Sequence, residues 1–439
     1  MPDTATAETP PAASAPPAAA PEARIRERYY GWVMVGLAAV AMAATLPGRT
    51  HGLGLITKHL LDDTAITQAT FARMNLWATL IGAAFCVPCG WLIDRVGMRH
   101  LLGAVVLALG AVVLWLSTVR EPTALFAAIT LTRGIGQSML SVISIAMVGK
   151  WFSRSIGPAM GLYSVLTAML MAGLIGVVGH GIITLGWREA WTAMGWALVF
   201  VVAPALWLLT RNHPSDPERE FGSSASSDAT EGDTGLPSAT LTQALATPCF
   251  WVFALSISFF GMQTSGLSLF NQYVLAERGF DESVYHTVLI VGMLVGMVAN
   301  LVGGYLSRRV RLQRLLAVAM VLLAAASLAF PFAREVWHAY AYAVINGAAG
   351  GLLTVLFFEV WGHAYGALRV GTIQSAAQMM TVLASAAGPL VVTASHDATG
   401  SYLQVFIGSA VICGVFASVA WLTPVPSARE NAWGAGTTR

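Results

Sequence analysis

The sequence predicts an all-α membrane protein with twelve transmembrane helices in two pseudo-symmetric six-helix bundles. Of its 439 residues, 56% are hydrophobic and 10% are charged, whereas roughly a quarter of the residues in soluble domains are charged. Twelve apolar segments reach the length of about 20 residues that spans a bilayer. The second six segments also repeat features of the first six. These three observations together favour a duplicated helical bundle in lipid.

The apolar segments fall into two groups of six. The first six cover residues 30–58, 69–92, 101–119, 123–148, 158–182 and 190–210, and the second six cover 248–276, 284–306, 314–332, 337–360, 371–395 and 402–423. The stretch between the groups is rich in Pro, Ser and acidic residues, as expected for a flexible linker. The expected domains are a disordered cytoplasmic tail over 1–24, a bundle over 25–210, a cytoplasmic linker over 211–246, a bundle over 247–425 and a cytoplasmic tail over 426–439.

A constant offset of 214 residues relates the two halves. Thr50-His51-Gly52-Leu53-Gly54-Leu55 corresponds to Thr264-Ser265-Gly266-Leu267-Ser268-Leu269, and Gly90-Trp91-Leu92 corresponds to Gly304-Tyr305-Leu306. Two homologous bundles of this kind are typical of secondary transporters, which bind their cargo between the halves near the middle of the membrane. The repeat therefore predicts a transporter with a central site.

Lysine and arginine residues predict the orientation. Sixteen of the 24 lie in loops and tails on the side of the two termini, and five lie in loops on the opposite side. Arg49, Arg73 and Arg133 lie within or at the rim of apolar segments. Because basic residues are enriched on the cytoplasmic side, we expect both termini in the cytoplasm and the chain in the cell inner (plasma) membrane.

A charged turn between the second and third segments carries the most specific motif. It reads Gly90-Trp91-Leu92-Ile93-Asp94-Arg95-Val96-Gly97-Met98-Arg99-His100. This pattern resembles the G-x-L-x-D-R-x-G-x-R motif of the major facilitator superfamily. The resemblance implies a twelve-helix transporter that works by alternating access, with Asp94, Arg95 and Arg99 setting the conformational equilibrium. The corresponding turn of the second half keeps Arg309 but has Arg308 in place of the acid.

Two shorter stretches resemble a narrower branch of that superfamily. Gly149-Lys150-Trp151-Phe152-Ser153-Arg154-Ser155-Ile156-Gly157 and Asp397-Ala398-Thr399-Gly400-Ser401-Tyr402 are similar to loops of oxalate/formate antiporters and monocarboxylate transporters. This resemblance implies a small organic anion as cargo. Segment 284–306 has no Arg or Asp between Val284 and Tyr305, where that branch often has its anion-binding residues. The pieces that match are isolated, whereas the superfamily resemblance covers nearly the whole chain.

Two arginines within apolar segments are the main candidates for binding an anion. An ionisable residue at the bilayer centre costs about 2.5–3.5 kcal/mol on insertion scales, so each needs a function or a structural partner. Arg49 follows the helix-breaking pair Pro47-Gly48, and Arg133 lies midway along a segment without Asp or Glu. We expect both to bind substrate charge. The alternative is that each guanidinium braces the bundle by bonding backbone carbonyls.

Further candidates are neutral polar residues at similar depth. His51 adjoins Arg49 and could titrate, although a packing role explains it equally well. Amide side chains can orient cargo or tie helices together. The complete set of predicted substrate-binding residues is Arg49, His51, Arg133, Gln137, Gln263, Asn271 and Gln378.

Glu359 is the one carboxylate within an apolar segment. We expect it to form a gate-closing ion pair with Arg308 or Arg309 on the inner face, with solvation at the interface as the alternative. The predicted gating set is Asp94, Arg95, Arg99, Arg308, Arg309 and Glu359. If a proton is coupled to transport, Glu359, His51 or Asp94 would carry it.

Several functions are excluded or ranked lower by the same sequence. The four cysteines lie in or beside apolar segments, and the spacing of Cys86 and Cys89 is better explained by packing than by redox chemistry. No nucleophile–base pair, metal-ligand cluster or nucleotide cradle is visible, so we expect no enzyme, cofactor or metal, and no nucleic-acid partner. The predicted protein is a monomer that moves a small carboxylate-like anion, with drug efflux by proton antiport or a non-transporting sensor as alternatives.

Overall fold

The computed structural model of the protein describes residues 21–86, 88–152, 156–211, 239–366 and 370–426, and every regular element within these ranges is helical. The N-terminal half contains α1 (Pro21–Ala43), α2 (Thr50–Thr64), α3 (Gln68–Ala84), α4 (Cys89–Val96), α5 (Met98–Thr118), α6 (Pro122–Leu131), α7 (Ser141–Trp151), α8 (Ile156–Leu185), α9 (Trp187–Ala197) and α10 (Ala203–Leu209). A π-helical stretch, Thr132–Leu140, joins α6 to α7, and another, Leu198–Val202, joins α9 to α10.

The C-terminal half begins after the predicted linker, of which residues 212–238 lie outside the described ranges. Its helices are α11 (Leu241–Leu245), α12 (Pro248–Glu277), α13 (Glu282–Leu306), α14 (Leu312–Ala329), α15 (Val336–Tyr365), α16 (Val370–Thr399) and α17 (Leu403–Leu422). The Ala239 backbone N–H donates to the Tyr365 carbonyl over 2.9 Å, so the chain is bound to this half before α12 starts. Most of the predicted tails, residues 1–20 and 427–439, also lie outside the described ranges.

Ten helical segments are long and apolar enough to cross a membrane within the described part of the chain. Two further spans are interrupted: α1 is followed by a break before α2, and α3 by a break before α4. The ten continuous segments and the two broken ones are consistent with the predicted count of twelve. The predicted all-helical membrane fold is confirmed.

The break in the first span places a charged residue inside the bundle. Pro47 lacks a backbone N–H donor and its ring obstructs the preceding turn, so α1 gives way to a 3₁₀ turn over Leu46–Gly48. Arg49 follows in an extended conformation (φ −88°, ψ 155°). Gly48 packs directly on the π-helical stretch, because a Cβ atom there would lie 2.2 Å from the Thr132 carbonyl oxygen. The two irregular stretches are therefore in backbone contact.

Glycine pairs bring the helices of the C-terminal half together. Gly347 of α15 packs on α13, since a Cβ atom there would lie 2.4 Å from the Gly292 carbonyl oxygen. One turn further along, a Cβ atom on Gly351 would lie 2.3 Å from the carbonyl oxygen of Gly296. These four residues form what we call the glycine seam. The spacings Gly292-x-x-x-Gly296 and Gly347-x-x-Gly350-Gly351 predict small-residue seams that permit close helix contact, and the structure shows that contact here.

The most extensive contacts between the two halves come from three helix pairs: α2 with α12, α3 with α16, and α8 with α13. Gly54 of α2 is one point of contact, where a Cβ atom would lie 2.2 Å from the Ser268 carbonyl oxygen of α12. A hydrophobic core runs through the N-terminal half and continues into parts of α12, α13 and α15. A second core lies within the C-terminal half around Phe250 and Trp361. The interface between halves leaves a space at mid-depth, where the candidate site lies.

Candidate functional site

A cavity of about 670 Å³ lies between the two halves. Its walls come from α1, α2, α8 and the 3₁₀ turn of the N-terminal half, and from α12, α13 and α15 of the C-terminal half. The polar residues that line it are Arg49, His51, Tyr163, Ser164, Thr167, Gln263, Thr264, Ser268, Asn271, Asn300, Tyr342, Asn346 and Thr354. Arg49 is the one lysine or arginine among the described lining residues, and none of these is Asp or Glu.

Neutral groups alone hold the Arg49 side chain. Its Nε donates to Thr45 Oγ1 over 2.7 Å, and its Nη2 lies 3.1 Å from Ser141 Oγ and 2.8 Å from Met42 Sδ. No carboxylate of the described residues pairs with it. The side chain is partly buried, so its positive charge is oriented by hydrogen bonds but is not neutralised. Such a guanidinium at a cavity wall is available to an anion.

Arg133 lies elsewhere in the bundle and is 2% exposed. Its Nη1 donates to Gln137 Oε1 over 2.6 Å, its Nη2 donates to Asn75 Oδ1, and both groups lie 3.4 Å from Thr50 Oγ1. It therefore braces the π-helical stretch against α2 and α3, as the alternative interpretation of this arginine allowed. The expectation that the two guanidiniums form one site is corrected, because Arg133 and Gln137 are not among the residues that line the cavity.

The amide residues are concentrated on the C-terminal wall. The Gln263 Nε2 donates to Ser327 Oγ over 2.8 Å. Within the described structure, the side chains of Asn271, Asn300 and Asn346 form no hydrogen bond, although all three line the cavity. Gln378 is exposed and is not part of the lining. His51 lines the cavity beside Arg49, and its Nδ1 is buried without a hydrogen-bond partner.

A histidine–carboxylate hydrogen bond joins the two halves at the end of the bundle that carries the α2–α3 and α12–α13 loops. His59 Nε2 of α2 lies 3.0 Å from Glu282 Oε1 of α13, and His286 Nε2 lies 3.9 Å from the same oxygen. The Tyr273 hydroxyl donates to the Lys58 carbonyl over 3.4 Å. We call His59, Glu282 and His286 the interbundle latch. It was not predicted, because Glu282 lies just outside the apolar segment that begins at 284.

A tyrosine contact reinforces closure at the same end. The Tyr402 hydroxyl donates to Gln68 Oε1 over 2.6 Å and so joins the start of α17 to the start of α3. Burial raises the pKa of the Tyr402 phenol to about 12. The hydroxyl therefore stays protonated at physiological pH and remains a donor. Contacts from two separate helix pairs thus join the two halves at this end.

The predicted gating residues of the opposite end lie apart from the latch. Gly97 has a positive φ of 82° between α4 and α5, as expected for the tight turn of the motif. Arg99 Nε donates to the Trp207 carbonyl over 2.6 Å, which is a contact within the N-terminal half. Arg95 is exposed, and the Asp94 side chain lies outside the described part of the structure.

The counterpart turn of the C-terminal half forms no ion pair with Glu359. Arg308 and Arg309 are exposed, and the Arg309 guanidinium lies 4.6 Å from the centroid of the Tyr305 ring. Glu359 is partly buried and has no ion pair with any described residue. The expected Glu359 pair is therefore not formed in this conformation.

Glu282→Gln should weaken the interbundle latch. Both partners are partly exposed (His59 33%, Glu282 22%), so we expect a loss of about 1 kcal/mol and a roughly fivefold shift toward conformations open at this end. Spin labels on Ala65→Cys and Ser283→Cys in a cysteine-free background would report the distance between the two loops. Glu335→Gln is the matched control, because the Glu335 carboxylate accepts from Trp337 of its own half. An unchanged distance distribution in Glu282→Gln would contradict the role of the latch.

Comparisons with known proteins agree with this architecture. The family model described as Major Facilitator Superfamily matches residues 29–389 and 272–437. Two solved structures of a bacterial homolog to the human lysosomal transporter Spinster, both inward-facing, are 16% identical. The occupied one has a TM-score of 0.62 and covers 90% of this chain and 96% of that chain. The unoccupied one has a TM-score of 0.63 and covers 90% and 95%.

A curated relative matches over a shorter region. The riboflavin transporter RibJ of Trypanosoma cruzi is 25% identical over 179 residues, which is 39% of this chain. The match spans 38% of the length of that transporter.

Proposed function

Because this chain belongs to the Major Facilitator Superfamily and is a multi-pass membrane transporter, we propose that its cargo is an organic anion with a carboxylate group, moved by alternating access of the two halves. The observation that supports this cargo is Arg49, a cavity-lining guanidinium with only neutral partners among the described residues. A guanidinium forms paired hydrogen bonds with a carboxylate, and these strengthen as water is excluded.

The latch fits the proposed transport cycle. Alternating access requires contacts that form at one end of the cavity while the other end is open. The pair between His59 and Glu282 is of this kind, since its members belong to different halves. We propose that it breaks when the cavity opens at this end. Asp94, Arg95, Arg99, Arg308, Arg309 and Glu359 would stabilise the opposite conformation.

The proposed setting follows from the distribution of charge in the sequence. Sixteen basic residues lie on the side of the termini, so both termini would face the cytoplasm. The protein would be a monomer in the inner membrane of the cell. We propose that transport of the anion is coupled to a proton. A narrower proposal is that the chain belongs to the branch of oxalate/formate antiporters and monocarboxylate transporters.

A second candidate cargo is a neutral heterocyclic compound. The relative of T. cruzi is named as a riboflavin transporter, and the C-terminal wall of the cavity offers several amides. Export of cationic drugs is less well supported, because the described lining contains arginine and no carboxylate. A non-transporting sensor would bind the same ligands without flux.

Counterflow into proteoliposomes tests the proposal. The purified protein would be reconstituted with internal unlabelled benzoate, and uptake of labelled benzoate would be compared with that of labelled riboflavin and of a quaternary ammonium compound, each with its own unlabelled form inside. We expect uptake of benzoate well above that of protein-free liposomes and no uptake of the cation. Uptake of riboflavin alone would favour the neutral cargo, and benzoate binding without flux would favour the sensor.

A further inference from the structure

The cavity has two chemically different walls. The repeat places Arg49 and Gln263 at equivalent positions of the two halves, 214 residues apart, and both line the cavity. One half thus contributes a positive charge where the other contributes a neutral amide. Within the described lining, the N-terminal wall holds Arg49 and the C-terminal wall holds only uncharged polar groups.

From this asymmetry we infer that the cargo has two recognition groups: a carboxylate that binds Arg49 and a planar amide-like edge that binds Asn300 and Asn346. The inference rests on the proposed function, which concerns the carboxylate end alone. The inference adds the chemistry at the end of the cargo opposite the carboxylate, where the cargo presents an N–H donor beside a carbonyl acceptor. An asparagine amide has both complementary groups, an oxygen acceptor and an NH₂ donor.

The state of these amides indicates that they serve a ligand. Asparagine within transmembrane helices commonly ties one helix to another by hydrogen bonds. Asn300 and Asn346 form no such bond with described residues, yet both are partly buried in apolar helices and line the cavity. Their side chains therefore have hydrogen-bonding capacity that no described helix uses. A cargo that offers a matching edge would form hydrogen bonds with both amides.

The glycine seam fixes where the two amides lie. Asn346 directly precedes Gly347 of the seam, and a Cβ atom on Gly351 would lie 2.8 Å from the Asn300 backbone nitrogen. Both asparagines therefore flank the contact between α13 and α15. Because backbone packs on backbone there, the backbone positions of the two asparagines are determined by the packing of the two helices.

The size and the remaining lining fit a ring between the two groups. A volume of about 670 Å³ lies in the range of roughly 300–1,000 Å³ that holds drug-sized ligands, and a carboxylate of a few atoms would leave most of it unfilled. Tyr163, Phe260 and Tyr342 provide aromatic surface, and Met293 and Met297 provide adaptable apolar surface. An aromatic or heteroaromatic ring bearing both groups matches this lining.

Binding of a matched set of probes tests the inference. The probes are benzoate, 4-carbamoylbenzoate, 4′-carbamoylbiphenyl-4-carboxylate and benzamide, measured by calorimetry on the full chain in detergent. We expect at least one of the two carbamoyl carboxylates to bind about tenfold more tightly than benzoate. Asn300→Leu and Asn346→Leu should reduce that advantage over benzoate to within twofold, and an unchanged melting temperature of the ligand-free variants would show that they are folded. Gln378→Leu, outside the lining, should retain the full advantage.

Three results would overturn the inference. Equal affinity for benzoate and for both carbamoyl carboxylates would contradict recognition of an amide-like group, and the proposed anion transport would be unaffected. An advantage that persists in both asparagine variants would place amide recognition elsewhere. Binding of benzamide without binding of any carboxylate would remove the anionic end, and the proposed function with it.

Discussion

Replacing Arg49 with glutamine is expected to reduce carboxylate uptake at least about 100-fold, a loss equivalent to ~2.7 kcal/mol. Glutamine can keep neutral hydrogen bonds to Thr45 and Ser141, but it removes the only positive charge of the described cavity lining. Because Arg49 is partly buried, solvent screens its charge less than it would at the protein surface. Initial rates of benzoate counterflow, normalised to the amount of folded protein, would measure the effect.

Two control variants separate charge from structure. Arg49→Lys keeps the charge but lacks the paired donors of guanidinium, so uptake should fall less than in Arg49→Gln. Arg73→Gln removes an exposed arginine of α3 that is not part of the lining, and uptake should be unchanged. Full uptake in Arg49→Gln would show that the cargo does not depend on this cation.

Replacing Gly347 with leucine is expected to abolish the folded protein. Even a Cβ atom at this position would lie 2.4 Å from the Gly292 carbonyl oxygen and 3.1 Å from the Gly292 carbonyl carbon and Cα. These are backbone atoms, so no side chain can rotate away and the two helices must separate. Overpacking in a core typically costs 1–3 kcal/mol, and forcing apart two helix backbones should exceed it. The monodisperse fraction in size-exclusion chromatography would report the loss.

Gly362→Leu provides the matched control for this prediction. Gly362 lies on the same helix, α15, but it is exposed and a Cβ atom there would meet no neighbour within 4 Å. Its yield of monodisperse protein should equal that of the natural sequence. Normal folding of Gly347→Leu would mean that α13 and α15 do not pack as closely as the structure indicates.

Local and repeated features of the sequence predicted most of the fold. Long apolar segments fixed the helices, because a chain in lipid has to satisfy its backbone hydrogen bonds internally. The Pro47-Gly48 pair predicted a break in the first span, and the structure has one there. The position of Arg49 beside the cavity follows from that break and from the repeat. Glycine spacing in α13 and α15 likewise predicted their close contact.

The composition of the site was harder to predict, because depth in the membrane does not determine the direction that a side chain faces. Arg133 lies at a suitable depth but contacts Thr50 of α2 and Asn75 of α3, and Gln137 accepts a hydrogen bond from Arg133. Tyr163 lines the cavity but is not among the predicted binding residues, because an aromatic residue in an apolar helix has no distinctive sequence pattern. The latch joins residues 223 positions apart, and such a non-local contact has no signal in a single sequence.

The glycine seam also determines which part of the protein deforms during transport. With no side chains between the backbones of α13 and α15 at the seam, there are no rotamers to exchange, and these two helices form a stiff unit. Asn300 and Asn346 belong to that unit, so their separation is preserved as the cavity changes shape. The first span of the N-terminal wall is instead interrupted at Pro47, so we expect the cavity to change shape mainly on that side. We then expect the distance from Arg49 to the two asparagines to change during transport while the spacing between the asparagines stays constant.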